Sequence, residues 1–116
     1  MGRFFRPVKR PPRAHSVITH FVISGDAAGT QLERDEIMEL EERISDAVEA
    51  VGGEHDGSEF GGGEAVLYTY GPDADALFTA IFGCLATMDL LPGAYAIKRY
   101  GAADDPDARE ERVEIS

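Results

Sequence analysis

The chain has 116 residues, a formal net charge of −11 and 43% hydrophobic residues. That length fits one domain with a small core, and no apolar run approaches the ~18 residues that span a bilayer. The single cysteine, Cys84, excludes an intramolecular disulfide framework and fits a reducing compartment, so the expected location is the cytoplasm.

The charge is unevenly spread. Residues 1–13, MGRFFRPVKRPPR, hold Arg3, Arg6, Lys9, Arg10 and Arg13 with no acid, and lack the apolar stretch of a secretory signal. In residues 14–116 six bases face 22 acids, a balance of −16. So negative a body repels phosphate backbones, so no nucleic-acid partner is expected. The same field attracts basic proteins and speeds their association. The basic, proline-rich arm is expected to be disordered, with residues 14–116 forming the single domain. No membrane partner is expected. The lack of Asn and Trp, with only two Lys among many Arg, Ala and Gly, looks like the product of a GC-rich bacterial genome.

HSVITHFVIS (15–24) is rich in β-branched and aromatic residues and reads as a central strand, apolar on both faces. TQLERDEIMELEERISDAVEAVGG (30–53) reads as a helix. Thr30 and Glu33 have capping-box spacing, and Ile37, Leu40, Ile44, Ala47, Val48 and Val51 recur at helical period. Gly52 and Gly53 supply the stop. Its outer face is acidic, with Glu36, Glu39, Glu42, Asp46 and Glu49; a Glu39–Arg43 pair cannot neutralise it.

Residues 54–60 read as a short edge strand, and EAVLYTY (64–70) as a second strong strand. Asp73 is placed to cap a second helix, ADALFTAIFGCLATMDL, with Leu77, Phe78, Ile81, Phe82, Leu85 and Met88 as its buried stripe. Pro92 stops it. AYAIKRY (94–100) is the next strand, and RVEIS (112–116) an added C-terminal one with Val113 and Ile115 inward. The order βαββαβ is the split βαβ arrangement of an α+β protein, with two helices on one face of an antiparallel sheet. Over residues 15–101 it resembles ferredoxin-like domains.

EHDGSEFGGGEAVLYTYG (54–71) concentrates glycine, acid and histidine. A phosphate loop needs a Lys, a Ser or Thr and a helix after the glycines; here Glu64 and a strand follow. The glycines instead suit a hairpin turn, and Gly57 a bulge. His55, Asp56, Glu59 and Glu64 are weak metal candidates, since their spacing matches no cation loop and strand alternation sends neighbours to opposite faces. No metal and no cofactor are expected.

No catalytic set can be read from His15, His20, His55 and Cys84, so an enzyme is the less favoured reading. Cys84 falls on an apolar helix flank, where free cysteine acts as a small hydrophobe. His20, Tyr68, Tyr70, Lys98 and Tyr100 are expected on the open sheet face, as a ligand site or a homodimer interface. In size, charge and expected fold the chain resembles small acidic inhibitors of the immunity type and the ribonuclease-regulator type. HDG at 55–57 is similar to the YDG element of the latter, though its surroundings differ, and no site residue is carried over. The resemblance and the charge imply a non-enzymatic protein that binds a basic, nucleic-acid-directed partner through Glu36, Glu39, Glu42, Asp46 and Glu49. The alternatives are a small-molecule sensor that uses the open sheet face, and a small enzyme of the dimeric ferredoxin-like barrel type.

Overall fold

The computed structural model describes residues 15–25, 28–102 and 104–116; the basic arm lies outside them. The β-branched run at the start forms strand β1 (His15–Val22), with Val17, Thr19 and Phe21 buried and Ile18 and His20 half-buried on the other side. Helix α1 (Gln31–Glu49) opens on the expected capping box: Glu33 N donates to Thr30 Oγ1 at 3.1 Å, and Thr30 N to Glu33 Oε1 at 2.8 Å. Ile37, Leu40, Ile44 and Val48 enter the core. Val51, expected on the same stripe, lies past the helix end and is exposed, because Gly52 at φ +83° turns the chain away.

Strands β2 (Glu54–Gly61) and β3 (Glu64–Gly71) form a hairpin across Gly62 and Gly63, at φ +60° and +79°. Positive φ at both turn residues matches the right-handed twist of the strands, and glycine takes it without strain. The register slips between His55 and Gly57, so a bulge falls at Asp56–Gly57, where the sequence signals one. Just before β2 the chain passes close under the second helix. A Cβ on Gly53 would lie 2.5 Å from Leu77 Cδ2 and 2.7 Å from the Tyr70 carbonyl oxygen.

Helix α2 (Ala74–Cys84) is capped by Asp73, whose Oδ1 accepts from the Asp75 and Ala76 amides. It is shorter than predicted. Tight turns, Leu85 N to Phe82 O and Met88 N to Leu85 O at 3.0 Å, break it and drop Leu85 into the core. Strands β4 (Tyr95–Arg99) and β5 (Glu110–Glu114) complete the sheet.

The strand order is β2-β3-β1-β4-β5, and every neighbouring pair is antiparallel. The first four strands therefore stand as in a split βαβ fold, and β5 extends the sheet beyond β4. Both helices pack on the side of Val17, Phe21, Ala65, Leu67 and Ala96, where the core lies. α2 contacts β1, β3 and β4 but does not reach β5. Phe82, expected to be buried, is 52% exposed on that uncovered flank and stacks on Phe78 at 5.7 Å.

Candidate functional site

The outer face of α1 presents Glu36, Glu39, Glu42, Asp46 and Glu49 to solvent. Their outward direction follows from the apolar stripe: once Ile37, Leu40, Ile44 and Val48 are inside, these positions point away. Among the described residues none of the five carboxylates has an ion-pair or hydrogen-bond partner. The expected Glu39–Arg43 pair does not form; Arg43 Nη2 instead approaches Met88 Sδ at 3.7 Å. Several carboxylates elsewhere are engaged. Glu33 caps α1, Asp75 and Glu111 hold Lys98, and Glu110 and Glu114 hold Arg99 and Arg112.

The other face of the sheet is lined by alternate residues of each strand. Pairing of Ile18 with Tyr68 and Ile97, and of His20 with Val66 and Tyr95, fixes which residues share it. His20 and Tyr95 stack at 4.4 Å with planes 8° apart, and the Arg112 guanidinium covers the other side of Tyr95 at 3.7 Å. His20 Nδ1 lies 3.3 Å from Glu64. Tyr68 Oη donates to Glu59 at 2.6 Å, and that carboxylate raises the tyrosine pKa. His20, Tyr68 and Tyr70 thus share the open face.

Lys98 and Tyr100, expected beside them, do not. Lys98 is in step with buried Ala96, so it points to the helix side and lies 5.3 Å from the centre of the Phe78 ring. Tyr95 and Arg99 occupy the open face in their place. Lys98 Nζ reaches Asp75 at 3.0 Å and Glu111 at 3.3 Å, and Tyr100 Oη donates to the same carboxylates at 2.6 and 3.0 Å. The Tyr100 hydroxyl, then Lys98, holds the Asp75 carboxyl below the ordinary range; the same two groups lower Glu111. Asp75 in turn raises Lys98 and Tyr100. This network ties the start of α2 to the β4–β5 hairpin.

A further polar cluster escaped the sequence reading. Glu41, on the inner flank of α1, lies 2.6 Å from His55 Nε2 and accepts from Ser58 Oγ at 3.0 Å. The His55 side chain is only 9% exposed, and its Nδ1 is buried without a hydrogen-bond partner among the described residues. The one detectable signal was that position 41 falls on the stripe of Ile37, Ile44 and Val48 at helical period. The order is serine–glutamate–histidine, so the imidazole does not reach the hydroxyl and cannot take its proton.

The weak metal candidates diverge. His55 turns inward to Glu41, while Glu59 and Glu64 lie on the open face with Tyr68 and His20. Among the described residues no three His, Cys, Asp or Glu side chains converge as metal ligands. Cys84 is half-buried and donates to the Ala80 carbonyl at 3.5 Å; burial pushes its thiol up, away from the reactive thiolate. No described helix is long and apolar enough to cross a membrane. Comparison with known proteins finds no matching family model, no matching curated protein and no matching solved structure.

Proposed function

We propose that the chain is a non-enzymatic acidic binding protein that acts by contact with a basic protein, through the outer face of α1. The observation that carries this reading is the state of Glu36, Glu39, Glu42, Asp46 and Glu49: exposed, on one rigid helix, and without cationic partners among the described residues. Five such carboxylates repel one another. A basic surface relieves that repulsion and is steered toward it by the field of the −16 body. A partner that normally binds a phosphate backbone offers the matching charge, which makes an inhibitor or immunity role for a nucleic-acid-directed enzyme the best-supported form of the idea.

The test is capture from native cell lysate at low and moderate salt, using the wild-type chain beside Glu39→Lys/Glu42→Lys/Asp46→Lys/Glu49→Lys. A stoichiometric basic partner should be recovered by the wild type alone. Its association rate should fall by roughly 10- to 1,000-fold in the variant and flatten in its salt dependence. Equal recovery by both proteins would exclude this helix face as the contact.

A further inference from the structure

The sheet has a second face that no described element covers. Both helices pack on the Val17–Leu67 side, leaving Ile18, Val66, Tyr68, Tyr95 and Ile97 as an apolar, aromatic strip around His20. Charges on this face are lopsided. On the β4–β5 half, Arg99 and Arg112 are matched by Glu110 and Glu114 at 2.8 and 2.5 Å. Among the described residues, Glu54, Glu59 and Glu64 on the β2–β3 half have no Lys or Arg partner, and Tyr68 and His20 are the side chains bonded to the last two.

The chain enters the sheet through a segment of complementary chemistry. Residues 1–14 carry five cations and no acid, together with Phe4 and Phe5. β1 starts at His15, opposite Gly71 at the end of β3, and β4 ends at Arg99 opposite Ser16. Neither neighbour continues past that point, and Pro11 and Pro12 have no amide to donate to a ladder, so nothing favours extending β1 backwards within the sheet. On the helix side the exit is occupied. His15 Nδ1 accepts from the Ala74 amide at 3.0 Å, and the Tyr100 ring packs edge-on against the imidazole at 5.7 Å. Fourteen residues span up to ~46 Å when extended, against roughly 27 Å for the eight residues of β1. The segment is long enough to reverse and still reach the His20 end.

We propose that the open sheet face is the docking site for residues 1–14 of the same chain. Phe4 and Phe5 lie on the Tyr68–Tyr95 strip, and the Arg and Lys side chains meet Glu54, Glu59 and Glu64. A tether this short holds the segment at a local concentration on the order of millimolar, above that of any free competitor of similar chemistry. A second copy of the chain meets the obstacle of two strongly negative bodies, which the cationic segment does not. The docked segment is a strap over this face. It leaves the α1 face, on the other side of the sheet, free, so the inference does not rest on the function proposed above.

The test is zero-length carbodiimide cross-linking of the full 116-residue chain, with linked peptides identified by mass spectrometry. Lys9 and Lys98 are the two lysines, and Lys98 is held at Asp75 and serves as an internal control. At ~50 mM NaCl, Lys9 should join Glu54, Glu59 or Glu64 within one chain, and the yield should fall about tenfold at ~500 mM, where the Debye length shortens to a few ångströms. Phe4→Ser/Phe5→Ser keeps every charge and should lose most of these links. Unchanged links in that variant would reduce the contact to unspecific attraction and overturn the docking. So would links mainly to α1 carboxylates, or no Lys9 links at all. Links found only between chains in a mixture of ¹⁴N- and ¹⁵N-labelled protein would assign the face to a second copy and overturn the strap. As an independent reading, the Tyr68 and His20 ring-proton shifts should move in the Phe4→Ser/Phe5→Ser protein. Their constancy would count against the proposal.

Discussion

Replacing Glu41 by Ala tests the polar cluster enclosed between α1 and β2. The Glu41 side chain is 17% exposed and holds His55 Nε2 at 2.6 Å and Ser58 Oγ at 3.0 Å. His55 Nδ1 is already buried without a partner among the described residues, so the substitution leaves both ring nitrogens unsatisfied inside the protein. A buried donor stripped of its acceptor costs about 1–3 kcal/mol, and the loss of the neutral serine bond adds about 0.5–1.5 kcal/mol. The expected destabilisation is thus about 2–4 kcal/mol. The assay is urea unfolding at neutral pH followed by circular dichroism, with Glu42→Ala as the control. Glu42 is one residue away but fully outside, and its loss should stay within about 0.5 kcal/mol. Glu41→Ala/His55→Leu should cost less than the sum of the two single changes by about 1 kcal/mol or more, because the orphaned imidazole is gone. If Glu41→Ala unfolds at the same midpoint as Glu42→Ala, with an unchanged m-value, the cluster contributes nothing to stability and the reasoning fails.

Gly53→Ala should destabilise the fold by about 1–3 kcal/mol, read from the same denaturation curves, because the added methyl meets Leu77 and the Tyr70 carbonyl with no room to shift. Thr30→Ala should cost about 1 kcal/mol through loss of the capping box, whereas Thr30→Ser should restore most of it. Acid sensitivity has a definite direction. Glu33, Asp75 and Glu111 titrate below their ordinary values of 4.5, 3.8 and 4.5 in the folded chain. Each therefore adds stability at pH above those values and loses it as pH falls through its lower folded value. Thermal melts from pH 6 down to pH 2 should show Tm falling across this window. The fall should be smaller in Asp75→Asn/Glu111→Gln, and an equal fall would remove the Lys98–Tyr100 network as its source.

Local chemistry was legible in the sequence wherever one or two residues decide the conformation. Thr30 with Glu33, Asp73, the Gly62–Gly63 turn and the Gly57 bulge each act through their own backbone, and all stand where the sequence places them. The alternation of β1 and β3 and the stripe of α1 carry the split βαβ order for the same reason: a two-faced element must bury its apolar side. The acidic outer face of α1 follows from that stripe and from nothing further away. Tertiary structure decided the rest. Lys98 belongs to the helix side only because Ile97 pairs with Ile18, a register made between strands far apart in sequence. Tyr100 follows it to Asp75 for the same reason. α2 stops at Cys84, where tight turns closed at Leu85 and Met88 replace the helical ladder that the apolar stripe alone would continue. Glu41 and His55 read singly as one more acid and one more histidine. Only the packing of α1 over β2 makes them a buried pair, because burial and hydrogen-bond partnership are properties of two segments at once.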